Sequence, residues 1–371
     1  MACADCIAHQ IGSPELVDRL SGRPGSFPIA GSIELTLRCN VRCKHCYILY
    51  PGATSNEMST ADVKATLDKL AQAGVLFLLM TGGEIFARPD FRELYVYAKK
   101  LGFLLTLFTN ATLVDEDLAD FLKAWPPRRV EVTIYGHTEE TYENVTGVKG
   151  SFRRFRRGID LMLDRGLKLT LKTIVLKTNE HEFHDIKAWA EGLGVPFRYD
   201  AMVNPKLDGD KSPTLERIDP EAVVALEGVD DEKRAFYAKM QALASAAPPS
   251  TKTFRCGAGI RTFHIDPRGQ LHPCMMWRTT PYDFKQDIEG WTDHLDLVRS
   301  LAAPVDSGCN ACRHRTGCNN CAATSQLEHG KPGRPIPYYC GVNNAREKLL
   351  GISPSTDEAR TDNPLAEVAA T

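Results

Sequence analysis

A chain of 371 residues is long enough for about two domains, each able to bury its own core. Its 45 basic and 47 acidic side chains nearly cancel, which removes any global reason to expect nucleic acid or an acidic membrane surface as partner. No apolar run approaches the roughly 20 residues of a membrane span, and the start, Met-Ala-Cys-Ala-Asp-Cys, lacks the charged-then-apolar order of a signal peptide; a cytoplasmic location is expected. The 12 cysteines, in a reducing compartment, point to metal rather than to disulfides, especially as most fall into spaced groups.

Residues 1–31 read as an N-terminal extension, in which Cys3 and Cys6 form a C-x2-C with no second pair nearby. From 32 to 203 short β-rich apolar runs alternate with amphipathic helices. The strands are predicted over 33–37, 75–80, 103–108, 130–135, 168–176 and 195–199. Between them Ser59 caps a helix whose Val63, Leu67 and Leu70 share a face, and Gly74 ends it. Pro89 opens a helix with Phe91, Leu94, Tyr95 and Ala98 inward; Phe155, Ile159 and Met162 precede Gly166; Phe183, Ile186 and Trp189 precede Gly194. Arg153, Arg154, Arg156 and Arg157 form a basic run best read as a solvated helix face. Six strands separated by helices predict a parallel sheet with right-handed crossovers, either doubly wound or a partial (β/α)6 TIM-like barrel. In a barrel the chemistry belongs at the strand C-terminal ends. Residues 204–254 read as a helical bridge, 255–350 as a small cysteine-rich domain, and 351–371 as a polar tail with little to bury.

The first strand runs directly into Cys39-Asn-Val-Arg-Cys43-Lys-His-Cys46. Three thiolates on one short loop suit a cubane iron-sulfur cluster, since they bind three irons and leave the fourth open. Zinc, the alternative, asks for a fourth protein ligand. The end of the second strand reads Met80-Thr-Gly82-Gly83-Glu84, the third ends at Thr109-Asn110, and the fourth at Thr133-Ile-Tyr135-Gly136.

Together these elements resemble the radical S-adenosylmethionine (SAM) enzymes. The resemblance implies that Cys39, Cys43 and Cys46 hold a 4Fe-4S cluster whose open iron is chelated by SAM. It implies further that Gly82, Gly83, Glu84, Asn110, Thr133 and His45 lie around that cofactor. His45 stands where relatives have Tyr or Phe, and Tyr135 where they have Asp. Downstream, Cys256, Cys274, Cys309, Cys312, Cys318, Cys321 and Cys340 resemble the SPASM extension with two auxiliary 4Fe-4S clusters, making three in all. The fourth pair here is C-x2-C rather than C-x3-C. The family pattern gives Cys309, Cys312, Cys318 and Cys340 to the distal cluster, and Cys256, Cys274 and Cys321 to the nearer one. The latter is left one ligand short, to be completed by a side chain such as His264 or His272, by water or by substrate. A pair of zinc knuckles is the alternative for these cysteines.

The function implied is reductive cleavage of SAM to a 5′-deoxyadenosyl radical, then hydrogen abstraction from a peptide or protein and oxidation, as in thioether or carbon-carbon crosslinks. Met275 and Met276, standing where sulfatase-maturing relatives place an Asp, argue against that activity. The implied partners are a peptide or protein substrate, a separate peptide-recognition protein, and an electron donor such as flavodoxin or ferredoxin, with neither nucleic acid nor membrane. The alternatives are a small metabolite as substrate and, more distantly, a non-catalytic electron-transfer protein.

Overall fold

The computed structural model describes residues 29–48, 56–246, 251–260, 262–284, 290–304, 307–310, 312–315 and 317–350. Cys3, Cys6 and the 351–371 tail lie outside them. The described residues fall into two compact units. The first runs through Arg217 and resumes at Cys256–Arg299; the second comprises Ile218–Arg255 and the chain from Ser300 onward.

In the first unit, strands β1 (Ala30–Glu34), β2 (Phe77–Thr81), β3 (Leu104–Thr109), β4 (Arg129–Thr133), β5 (Leu169–Ile174) and β6 (Phe197–Asp200) lie side by side in chain order, each parallel to the one before. A doubly wound sheet reverses direction at a switch point, and this order contains no reversal. The six strands therefore form the partial barrel. Helices α1 (Thr60–Gln72), α2 (Phe91–Lys100), α3 (Glu116–Ala124), α4 (Glu139–Thr146), α5 (Ser151–Asp164) and α6 (Phe183–Gly192) connect them.

Local chemistry explains the punctuation. Ser59 and Asp62 form a reciprocal capping box at α1, each side chain accepting the other's backbone N–H. Val63, Leu67 and Leu70, at helical spacing, are fully buried against the sheet. Burial of a leucine side chain contributes about 1.5–3 kcal/mol, so this face, rather than intrinsic propensity, fixes the helix in place. On α2 the inward set is Phe91, Leu94, Tyr95 and Ala98, as the periodicity predicts. On α6 Phe183, Ile186 and Ala190 are buried while Trp189 is half-buried, with the Arg156 guanidinium 4.2 Å from its ring centroid. The basic run is indeed largely solvated: Arg153 is exposed and pairs with Glu139.

Along each strand alternate residues face opposite ways. Ile33, Leu78, Met80, Leu105, Leu107, Val130, Val132, Leu169 and Leu171 join the hydrophobic core. The alternating positions Ser32, Glu34, Glu131, Thr133, Lys172 and Arg198 give a second face that is polar and charged, as expected of a surface that handles a ligand rather than one that only packs.

Past β6 the sheet continues on the other side of β1. Strand β7 (Thr262–Ile265) pairs parallel to β1, with β8 (Gln270–His272) and β9 (Tyr282–Asp283) following antiparallel. Gly31 makes this possible, since a Cβ there would stand 2.1 Å from the Phe263 ring. The second unit contains α7 (Pro220–Gly228) and α8 (Asp231–Ala246); α9 (Trp291–Ser300) closes the first unit, and α10 (Ala322–His329) and α11 (Pro337–Leu350) complete the second.

Candidate metal and cofactor site

Because the strands are parallel, their C-terminal ends share one rim, and the predicted residues gather there. Cys39, Cys43 and Cys46 follow β1, Gly82–Glu84 follow β2, Asn110 follows β3, and Thr133, half-buried, ends β4. The cysteine loop is pinned along its length. Glu57 accepts the Leu37 backbone N–H at 2.6 Å and the Thr36 hydroxyl at 3.0 Å. Further on, the Arg42 and Lys44 backbone N–H groups donate to Thr146 O and Val145 O. Glu57 had no sequence signal, because it acts from another loop and only tertiary structure brings it here.

The two glycines that follow β2 serve the loop as well. Gly82 has φ +138°, and a Cβ on it would stand 2.4 Å from Thr36 O; one on Gly83 would stand 2.2 Å from Arg38 O. The gap is closed by backbone hydrogen bonds, Gly83 N to Thr36 O at 2.9 Å and Glu84 N to Arg38 O at 2.8 Å. Close approach, the property that favours glycine here, is thus used first to seat the segment leading into Cys39.

Glu84 is fully buried. Its carboxylate accepts the Thr109 hydroxyl at 2.8 and 2.9 Å, the Asn110 N–H at 2.8 Å and the Phe86 N–H at 3.2 Å. Burial pushes its pKa up to about 7 against those donors. It ties the end of β2 to the end of β3. Asn110 carries the tie onward, its Nδ2 donating to Asn40 Oδ1 at 3.0 Å and standing 3.9 Å from Cys39 Sγ.

Tyr135, the departure from the family pattern, directs its hydroxyl at Cys43 and donates to it. Burial raises the Cys43 thiol well above its ordinary value, and the neighbouring Cys46 and Cys39 add to this against the Tyr135 bond. Beside it, His45 packs on the Tyr135 ring at 5.4 Å between centroids; burial lowers its pKa to about 4, and its Nδ1 is buried without a partner. A neutral imidazole with an unused nitrogen on the rim is free to meet a polar ligand group.

Cys256 and Cys274 also belong to the first unit, Cys256 before β7 and Cys274 just after β8. The Tyr47 hydroxyl, next to Cys46 in sequence, donates to Met275 Sδ at 3.3 Å, next to Cys274. Underneath lies a buried polar group. His264 Nδ1 is 2.8 Å from Ser32 Oγ, while its Nε2 faces Arg278 at 3.1 Å and Glu34 at 3.5 Å. Burial alone would raise the Glu34 pKa, but His264 and Arg278 hold it below its ordinary value. Both nitrogens of His264 are thus engaged. His272 uses Nε2 toward Asp266 at 3.4 Å and leaves Nδ1 buried and unpartnered.

In the second unit the thiols of Cys309, Cys318 and Cys340 are raised above their ordinary value, with neighbouring cysteines contributing. Burial is the larger cause, taking Cys309 to about 12 and Cys340 to about 11. Donors surround the sulfurs: Asn343 Nδ2 reaches Cys318 Sγ at 3.0 Å, Asn320 Nδ2 reaches Cys309 Sγ at 3.3 Å, and the His314 N–H reaches Cys312 Sγ at 3.4 Å. Cys321 is exposed and caps α10, accepting the Thr324 N–H.

The donor sets fit iron-sulfur clusters. The ten described cysteines are thiols rather than disulfides, and those that burial and one another drive toward the protonated form need a cationic group to become thiolates. Among the described residues no three His, Cys, Asp or Glu side chains are arranged to hold a single ion. A cubane places each thiolate on its own iron and needs no common apex.

A half-barrel with a three-thiol loop at the strand ends and a glycine pair backing that loop defines a class of cofactor-dependent enzyme. Residues 33–190 match the family model of the Radical SAM superfamily, and this stretch is a radical SAM domain. The chain is 25% identical to the AdoMet-dependent heme synthase of Methanosarcina barkeri, over 82% of this chain and 94% of that one. It is 28% identical to the subtilosin biosynthesis protein AlbA of Bacillus subtilis over 67% of its own length, spanning only 55% of AlbA. In fold it is similar to SuiB of Streptococcus suis, solved with the precursor peptide SuiA, with TM-score 0.65 and 16% identity over 85% of this chain and 76% of SuiB. The first two likenesses are of sequence and the last is of fold.

Proposed function

We propose that this radical SAM enzyme oxidises a ribosomal peptide or protein. The observation that carries the reading is the second set of thiols, gathered in a unit of its own under N–H donors and so able to hold a redox centre distinct from that of the barrel. AlbA, named for the biosynthesis of a bacteriocin, and SuiB, solved with a precursor peptide bound, support it. When bound, the barrel cluster and SAM supply a 5′-deoxyadenosyl radical that abstracts hydrogen, and the auxiliary clusters supply a one-electron acceptor.

The chain's own residues position and exclude. Cys39, Cys43 and Cys46 hold the barrel cluster. Glu84 and Asn110 lock the strand ends around it, with Gly82, Gly83, Thr133 and His45 lining the place for SAM. Cys309, Cys312, Cys318 and Cys340 hold one auxiliary cluster, and Cys256 and Cys274 serve the other. The engaged nitrogens of His264 leave His272 as the better side-chain candidate for the missing ligand. The reading places the enzyme in the cytoplasm, with a flavodoxin- or ferredoxin-type donor and a separate recognition protein. No described helix is long and apolar enough to cross a membrane.

A second reading, a small metabolite as substrate, is favoured by the nearly full-length match to a heme synthase. Co-expression with a short peptide encoded nearby, followed by mass spectrometry, separates the two. Loss of two hydrogens, about two daltons, supports peptide oxidation. An unchanged peptide together with an altered metabolite overturns the peptide assignment and leaves the radical chemistry standing.

A further inference from the structure

In the second unit a buried chain of hydrogen bonds ends on a cysteine sulfur. Glu227 on α7 accepts from Arg346 on α11 at 2.7 and 2.8 Å, and both side chains are less than a tenth exposed. The guanidinium also lies 3.8 Å from the Tyr237 ring centroid. Its Nη1 donates to Asn343 Oδ1 at 3.2 Å.

This contact settles which way the Asn343 amide faces. A guanidinium has donors only, so the atom opposite it must be the amide oxygen, and the NH2 points the other way. Its two hydrogens are then both used, one toward Tyr339 O at 2.6 Å and one toward Cys318 Sγ at 3.0 Å. Tyr339, Asn343 and Arg346 are spaced four and three apart, so one face of α11 carries the whole arrangement. The charged pair is an expensive device in so buried a place. Two ions are taken out of water to orient one neutral amide. A purely structural need would be met by apolar packing, which suggests that the orientation itself is what matters.

We infer that Asn343, locked by Arg346 and Glu227, is a positioning residue that raises the reduction potential of the cluster held by Cys309, Cys312, Cys318 and Cys340. The inference rests on the reading of these cysteines given under the proposed function. Taking up one electron makes a cluster more negative by one charge, shared with its thiolate sulfurs. An N–H aimed at a sulfur stabilises the reduced form more than the oxidised one, so the couple becomes more positive. Asn320 Nδ2 on Cys309 and the Asn320 backbone N–H on Cys318 act in the same sense. Asn343 differs from them in being held by a buried ion pair.

The test is a redox titration followed by electron paramagnetic resonance on full-length protein reconstituted anaerobically. A Cys39→Ala, Cys43→Ala, Cys46→Ala background silences the barrel cluster. In it, Asn343→Leu removes the donor at similar volume, and Asn343→Asp keeps an acceptor for Arg346 but turns an oxygen toward Cys318. Both should retain the parent's iron and sulfide content and shift one auxiliary couple to more negative potential, Asn343→Asp further than Asn343→Leu. Iron retained with both couples unmoved overturns the inference. Should Asn343→Leu lose iron, Asn343→Asp decides alone by the same criterion. If the parent protein itself carries zinc at these cysteines, the cluster reading fails first, an outcome visible in metal analysis before any variant is made.

Discussion

The backbone N–H of Asn110 lies 2.8 Å from Oε2 of Glu84, and the N–H of Phe86 lies 3.2 Å from Oε1, so each carboxylate oxygen receives a backbone donor. An amide cannot replace it, because its NH2 would face one of those donors. Glu84→Gln should cost about 1–3 kcal/mol, the scale of a buried group left unpaired, as read by urea unfolding.

The same residue sets a pH dependence. The folded protein holds the Glu84 proton up to about pH 7, while the unfolded chain releases it near the ordinary value of 4.5. Between these values the folded state binds more protons. Its stabilising contribution is therefore full below about 4.5 and is lost as pH rises to about 7, a change of about 3 kcal/mol. The stability gap between the wild type and Glu84→Gln should shrink across that window; a gap constant from pH 4.5 to 7.5 would contradict it.

Gly83→Ala puts a methyl 2.2 Å from Arg38 O, a backbone atom with no rotamer to escape into. The segment entering the cysteine loop must move. A loss of about 1–3 kcal/mol or more is expected, together with poorer iron incorporation at Cys39, Cys43 and Cys46. Thermal unfolding and iron counts in a variant lacking the seven cysteines from Cys256 to Cys340 measure both.

Tyr135→Phe removes the donor to Cys43 while keeping the ring contacts with His45 at 5.4 Å and Tyr142 at 5.7 Å. Because burial raises the phenol far above its ordinary value, the hydroxyl stays a donor throughout the working pH range. Stability should fall by no more than about 1.5 kcal/mol, and the barrel cluster should become harder to reduce. A potentiometric titration giving an unchanged or more positive value would contradict this.

Full anaerobic reconstitution should give about twelve irons per chain if all three clusters are cubanes, and the triple alanine variant of the barrel loop about four fewer. A wild-type plateau near four irons would leave the C-terminal cysteines without clusters.

Much of the barrel was legible in the sequence, because hydrophobic period and glycine punctuation are local signals. Ser59 with Asp62, and the inward set Phe91, Leu94, Tyr95 and Ala98, stand where their spacing puts them. Strand β7 was not legible, for Thr-Phe-His-Ile is short and carries a buried histidine that Ser32, Arg278 and Glu34 make tolerable. The glycine pair was found by its motif, but its contact with the backbone of Thr36 and Arg38 is a tertiary fact. Glu57 and the Glu227–Arg346–Asn343 relay gave no signal, since each works across a long stretch of chain.

Strand β1 is flanked by β2 on one side and by β7 on the other, and Ser32 and His264, bonded across that second seam, are 232 residues apart in the chain. During synthesis the six earlier strands can emerge and pair while the outer edge of β1 still has no neighbour. An open edge of this kind invites pairing with another chain, and contacts between remote segments form slowly. The interval before residue 262 leaves the ribosome is therefore when nascent chains are most exposed to misassociation. Truncated products ending before β7 should precipitate more readily than those ending after β9.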